Sequence, residues 1–177
     1  MRLRALILAL AGLLAAGCGG GGGEDTVVAP TKPPPPLPRP KEGFFAAKPA
    51  QITRAVVERG PAGHFPGVAW KLNTVKVGTL GAILGAGTYD ALEAQMDKST
   101  RRCAGGDCRV FRVPAGVRDQ LALLTHPDLY ARRWANTQEM RLDHVTRGDL
   151  RALLITLRRL AREARADGSQ LWVWSSP

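Results

Sequence analysis

The chain has 177 residues, with 25 Lys and Arg against 15 Asp and Glu, a formal net charge of +10 at pH 7. Its apolar runs at residues 5–16 and 80–87 fall short of the roughly 20 residues that a membrane-crossing helix requires, which excludes a helical span. Residues 1–43 hold five of the basic and three of the acidic residues, so residues 44–177 keep 20 against 12, a net +8. Charge of that size draws a domain toward phosphate-rich or acidic partners.

The chain opens on two arginines, Arg2 and Arg4, then an apolar stretch ending Leu13-Leu14-Ala15-Ala16-Gly17-Cys18. A short basic segment, a short apolar segment and small residues read as a secretory signal. A cysteine stands where the cleavage site would fall, and five glycines, residues 19–23, leave it nothing to pack against. These residues resemble the lipobox of bacterial lipoproteins, with Ala15 where leucine is the commoner residue. The resemblance implies a signal peptide over 1–17, diacylation of the Cys18 sulfur, cleavage before it and acylation of the new amine. Gly19 in place of aspartate implies outer-membrane anchoring, with the domain facing the periplasm. Two or more acyl chains hold a protein stably where one gives only marginal binding.

Residues 18–43 read as a tether. The glycines form a soft leash, and the proline run at residues 33–40 favours extended polyproline II, so the segment reaches at most about 75 Å. Residues 44–177 suit a single domain long enough to bury its own core.

With Cys18 lipidated, Cys103 and Cys108 remain. An even pair in an exported chain reads as a disulfide. Ala104-Gly105-Gly106-Asp107 between them forms a turn, and the flanks 99–102 and 109–113 form the arms of a hairpin. The spacing of four is not that of a thioredoxin-type redox pair.

Before the hairpin, Ile52, Val56 and Arg59 at helical spacing predict a helix over 49–59. Alternation of Val68, Trp70 and Leu72, then Val75 and Val77, predicts one or two strands. Gly78, Gly81, Gly85 and Gly87 predict a buried, close-packed segment leading into a helix capped by Thr88 and running to Met96. After the hairpin, Val117, Leu121 and Leu124 stripe a helix from about Pro114, and Pro127 starts a short one carrying Leu129, Tyr130 and Trp134. The clearest pattern comes last. Thr146-Arg147-Gly148-Asp149 is a capping box with aspartate for glutamate, followed by Leu150, Leu153, Leu154, Leu157, Leu160, Ala161 and Ala164. Asp167-Gly168 closes it, and a terminal strand sets Leu171 and Val173 opposite Trp172 and Trp174. Interspersed helices and strands without a parallel-sheet rhythm predict a small single α+β domain.

Candidate chemistry is sparse. His126, Asp128, Asp143 and His144 are the titratable groups whose convergence would make a metal or general-base site. Their spacing matches no catalytic, metal or cofactor motif, and His64 stands apart. We therefore assign no catalytic residue, metal or cofactor. The arginines say more. On a helical wheel Arg147, Arg151, Arg158, Arg162 and Arg165 fall within about 60° of arc, beside the leucines and away from Asp149 and Glu163. Such a stripe either pairs with acids elsewhere in the fold or forms a face for anionic groups. The expected function is a lipid-anchored binding or envelope-assembly module whose partner is an anionic lipid or acidic envelope protein. The rival readings are a basic hydrolase or nuclease-like toxin, and a component of DNA uptake or transfer, nucleic acid ranking below the other partners.

Overall fold

The computed structural model describes residues 43–61 and 63–176. The expected signal peptide, Cys18 and the expected tether up to residue 42 lie outside the described residues. The order along the chain is β1 (Gly43–Ala47), a 3-10 turn (Pro49–Gln51), α1 (Arg54–Arg59), β2 (Gly67–Val68), α2 (Thr74–Ile83) and α3 (Tyr89–Ser99). There follow β3 (Arg101–Arg102), β4 (Arg109–Arg112), α4 (Ala115–Leu123), α5 (Pro127–Ala135), α6 (Gln138–Leu142), α7 (Arg147–Ala166) and β5 (Gln170–Ser175). The expected α+β class holds. The strands form one five-stranded sheet in the order β2-β1-β5-β4-β3. Every pairing in it is antiparallel.

Side-chain alternation along the strands builds two apolar layers. Phe44, Ala46, Phe111, Leu171 and Val173 face the larger core with the helices α2 to α7. Phe45, Ala47, Val110 and Trp172 face a smaller core with Ile52, Val56 and Val57. Both indoles of β5 find hydrogen-bond partners. Trp172 Nε1 donates to the Ala47 carbonyl at 3.1 Å and Trp174 Nε1 to the Val57 carbonyl at 3.0 Å. Both bonds reach outside β5, so they tie the second face to the chain around it.

α7 follows its pattern closely. Thr146 Oγ1 accepts from the Asp149 amide and Asp149 Oδ2 from the Thr146 amide, the reciprocal capping box. Its seven expected apolar positions are all buried, none more than 2% exposed. Truncating any one of these leucines to alanine costs about 2–5 kcal/mol, which makes α7 the spine of the domain.

Several elements depart from the expectations. Val75 and Val77, whose alternation predicts a strand, belong to helix α2. Asn73 decides the outcome locally: its side chain accepts from the Lys76 amide at 3.0 Å and starts a helix there. The glycines on α2 then have a packing role. A Cβ on Gly81 would come within 2.6 Å of Leu92 and 2.7 Å of Val117, and one on Gly78 within 3.0 Å of the Tyr89 ring. Their bare backbone lets α3 and α4 approach α2. The Tyr89 hydroxyl donates to Glu93 at 3.0 Å. Burial first, then this bond, raises its pKa above the ordinary value. The helix expected over 49–59 divides into the 3-10 turn and α1, where Thr53 caps the second piece. β1 and α6 had no counterpart among the expectations.

The end of α6 bears on the site. His144 takes a positive φ of 55°. Its amide donates to the Arg141 carbonyl and that of Val145 to the Met140 carbonyl, at 3.2 and 3.1 Å. That is a Schellman ending with histidine at the left-handed position where glycine is usual. It turns the chain sharply and leaves Asp143 as the last residue of the helix end.

Candidate functional site: a basic cleft and the arginine face of the last helix

The disulfide is formed: Cys103 and Cys108 are bonded, with Cα atoms 5.5 Å apart. The Cys103 amide donates to the Cys108 carbonyl at 3.1 Å, so the bond lies on the ladder of the β3–β4 hairpin. Gly106, at φ 80°, supplies the turn. Arg101 Nη1 reaches the Ile52 carbonyl at 2.6 Å and the Ala104 amide reaches Glu58 at 3.2 Å. The tip is thus fixed covalently within itself and by hydrogen bonds to the α1 region.

The five arginines of α7 lie along the seam with α4 and α5. Arg151 Nε sits 2.9 Å from Asp128, which Arg147 also meets at 3.5 Å. These contacts hold the Asp128 carboxyl below its ordinary pKa, the Arg151 hydrogen bond contributing most. Arg158 and Arg162 donate to the Leu124 and Ala122 carbonyls at 3.4 and 2.8 Å, at the C-terminal end of α4 where carbonyls lack helical partners. Arg165 lies 3.6 Å from Asp119, which Arg118 meets at 2.9 Å. At each end of the stripe one aspartate therefore serves two guanidinium groups, and the seam keeps a surplus of positive charge. Arg147 and Arg151 remain 56% and 50% exposed.

The four titratable groups whose convergence would make a metal or general-base site have separate engagements. Asp128 serves the arginines and Asp143 meets Lys76. His126 caps α5 by position alone, without a side-chain bond, and His144 occupies the left-handed turn. No group of three or more His, Cys, Asp and Glu able to hold a metal occurs among the described residues.

A larger feature lies elsewhere. A cleft of about 750 Å³ opens between the N-terminal turn of α2, the α6–α7 connection and the helix-facing side of the β3–β4–β5 end of the sheet. Its basic groups are Lys71, Lys76, Arg102 and Arg109, and its acidic ones Asp107 and Asp143. Sheet register explains the wall. Arg102 pairs directly with Arg109, and Arg109 with Ser175. This row continues the parity of Phe111 and Val173, one step beyond the point where the helical layer ends, so core positions give way to a polar cleft. On the opposite side Lys76, 8% exposed, directs its ammonium group to Asp143 and, at 3.2 Å, to the Lys71 carbonyl.

Spacing along the chain does not reveal this cleft, although one signal is present. Pairing Cys103 with Cys108 places their outer neighbours, Arg102 and Arg109, opposite each other in the same ladder. Lys71, Lys76 and Asp143 carried no such signal, because only α2 and the Schellman turn bring them together.

Comparison with protein-family models, curated proteins and solved structures gives no match. What the structure defines is a class: an α+β domain with a disulfide-pinned hairpin beside a basic cleft. No described helix is long and apolar enough to cross a membrane.

Proposed function

We propose that this chain is an outer-membrane lipoprotein, anchored through lipid on Cys18, whose periplasmic domain is a binding or envelope-assembly module. The observation that carries the reading is the joint use of the three cysteines. One follows a leader resembling a lipobox, and the other two form a disulfide, as expected of a chain folded in an oxidising compartment. The partner class follows from charge. Arg147, Arg151, Arg158, Arg162 and Arg165 line a seam on which two arginines share each aspartate, and this surplus suits an anionic lipid surface or an acidic envelope protein.

The anchor is tested by metabolic palmitate labelling and fractionation of wild type and Cys18→Ala. We expect label in the wild type alone, and release of the alanine variant from membranes. A wild type without label, together with a variant retained on membranes, would overturn the anchored reading.

A further inference from the structure

We propose that the cleft beside the disulfide hairpin is a binding site for a phosphate monoester, gripped between Arg102 and Arg109. Directly opposite residues on antiparallel strands hold their Cβ atoms about 5 Å apart, and like charges so placed repel. Arg102 and Arg109 occupy such a pair and share the helix-facing side of the sheet. Neither has an ion-pair or hydrogen-bonding side-chain partner among the described residues, although Asp107 lines the same cleft. On α7, Arg147, Arg151 and Arg165 meet carboxylates and Arg158 and Arg162 carbonyls, whereas here two arginines face each other across the ladder. The bond between Cys103 and Cys108, the next pair in the ladder, opposes the splaying that their repulsion favours.

The chemistry of the occupant follows from the charge and groups around it. Lys71, Lys76, Arg102 and Arg109 against Asp107 and Asp143 leave the cleft two positive charges in excess. Lys76 and Asp143 neutralise each other, so the excess resides on Lys71 and the arginine pair. A single carboxylate would match half of it. A phosphate monoester carries about −1.5 to −2 charges near pH 7 and three acceptor oxygens, enough for two guanidinium forks and an ammonium group. Ser175, the register neighbour of Arg109, adds a hydroxyl in the same row. The volume of about 750 Å³ admits the organic group that carries the phosphate, and Trp70 gives it an apolar wall. This site uses other elements than the α7 seam and does not depend on Cys18, so it stands or falls apart from the anchored reading.

The test uses the full chain carrying Cys18→Ala, so that no lipid anchor contributes. Thermal unfolding and calorimetry are followed with inorganic phosphate, glycerol 3-phosphate and acetate at equal ionic strength. Pelleting is followed with phosphatidylcholine vesicles with and without phosphatidic acid. We expect phosphate or its esters to raise the unfolding midpoint, and Arg102→Gln plus Arg109→Gln to weaken binding about tenfold or more. Without phosphate that double variant should unfold at a higher midpoint than its parent, which separates lost binding from lost folding. Binding to glycerol 3-phosphate alone identifies a soluble ester, and to phosphatidic acid vesicles alone a lipid headgroup; both support the site. No response to any phosphate probe, equal stabilisation by acetate, or an equal loss in the Lys98→Gln plus Arg132→Gln control would overturn it.

Discussion

Lys76 and Asp143 form an ion pair whose two ends have unequal access to water, and the inequality gives opposite outcomes for the two deletions. The Lys76 side chain is 9% exposed and that of Asp143 is 44% exposed. Removing one partner of a fully buried pair costs about 3–5 kcal/mol, because the survivor is left desolvated and unpaired. In Asp143→Asn the survivor is the buried ammonium, which retains the Lys71 carbonyl and a neutral amide oxygen, so we expect a loss nearer 2 kcal/mol. In Lys76→Met the survivor is a carboxylate already in contact with solvent, while methionine preserves the apolar stem; the change should stay within about 1 kcal/mol of zero. Urea denaturation of the purified chain reads the difference. Asp143→Asn should lower the midpoint by roughly 1 M, at slopes usual for a domain of this size, with Lys76→Met close to wild type. If the lysine deletion costs as much as the aspartate deletion, the asymmetry of solvation does not govern the pair and the reasoning fails.

Other expectations rest on single contacts. Gly81→Ala gains about 1 kcal/mol of helix propensity but drives a methyl group into Leu92 and Val117, for a net loss of up to about 2 kcal/mol by denaturant melting. His144→Gly should stabilise by about 0.5 kcal/mol, since relief at a φ of 55° slightly exceeds the entropy glycine adds to the unfolded chain. Arg158→Gln plus Arg162→Gln should cost about 1 kcal/mol or more in the same assay, through the carbonyls at the end of α4 that they now bond. Asp128 has a depressed folded pKa, so its contribution is present above the ordinary aspartate value and fades as pH falls through the folded one. The urea midpoints of wild type and Asp128→Asn should therefore differ at about pH 5 and converge toward about pH 2.

Local patterns were enough for elements whose instructions lie within one turn or one repeat. The capping box at Thr146 and Asp149, the leucine stripe of α7 and the alternation of β5 each satisfy their hydrogen bonds or bury their apolar face by a rule readable along the chain. The disulfide hairpin was equally legible, because the cysteines and the glycines between them need only each other. Where residues depend on distant partners, local pattern was insufficient or misleading. The valines at 75 and 77 alternate like a strand, yet Asn73 caps a helix and the glycines at 78 and 81 let α3 and α4 close over it. β1 is a central strand, filled on both faces by Phe44 and Phe45, so it lacks the one-sided alternation that marks a half-exposed strand.

The same division runs through the sites. The wheel placed the five arginines of α7 on one flank. Their partners Asp119, Asp128 and the carbonyls ending α4 came only from helix packing, since nothing in a helix's own repeat says which neighbour lies along its edge. In the cleft the sequence alone set Arg102 opposite Arg109, once the cysteines between them were paired. The opposing wall is a tertiary product. α2 carries Lys76 to the interior, and the left-handed turn at His144 presents Asp143 to it across 67 residues of chain. A charge can be buried there because the fold delivers the opposite charge to the same place, and that condition is met in space rather than along the chain.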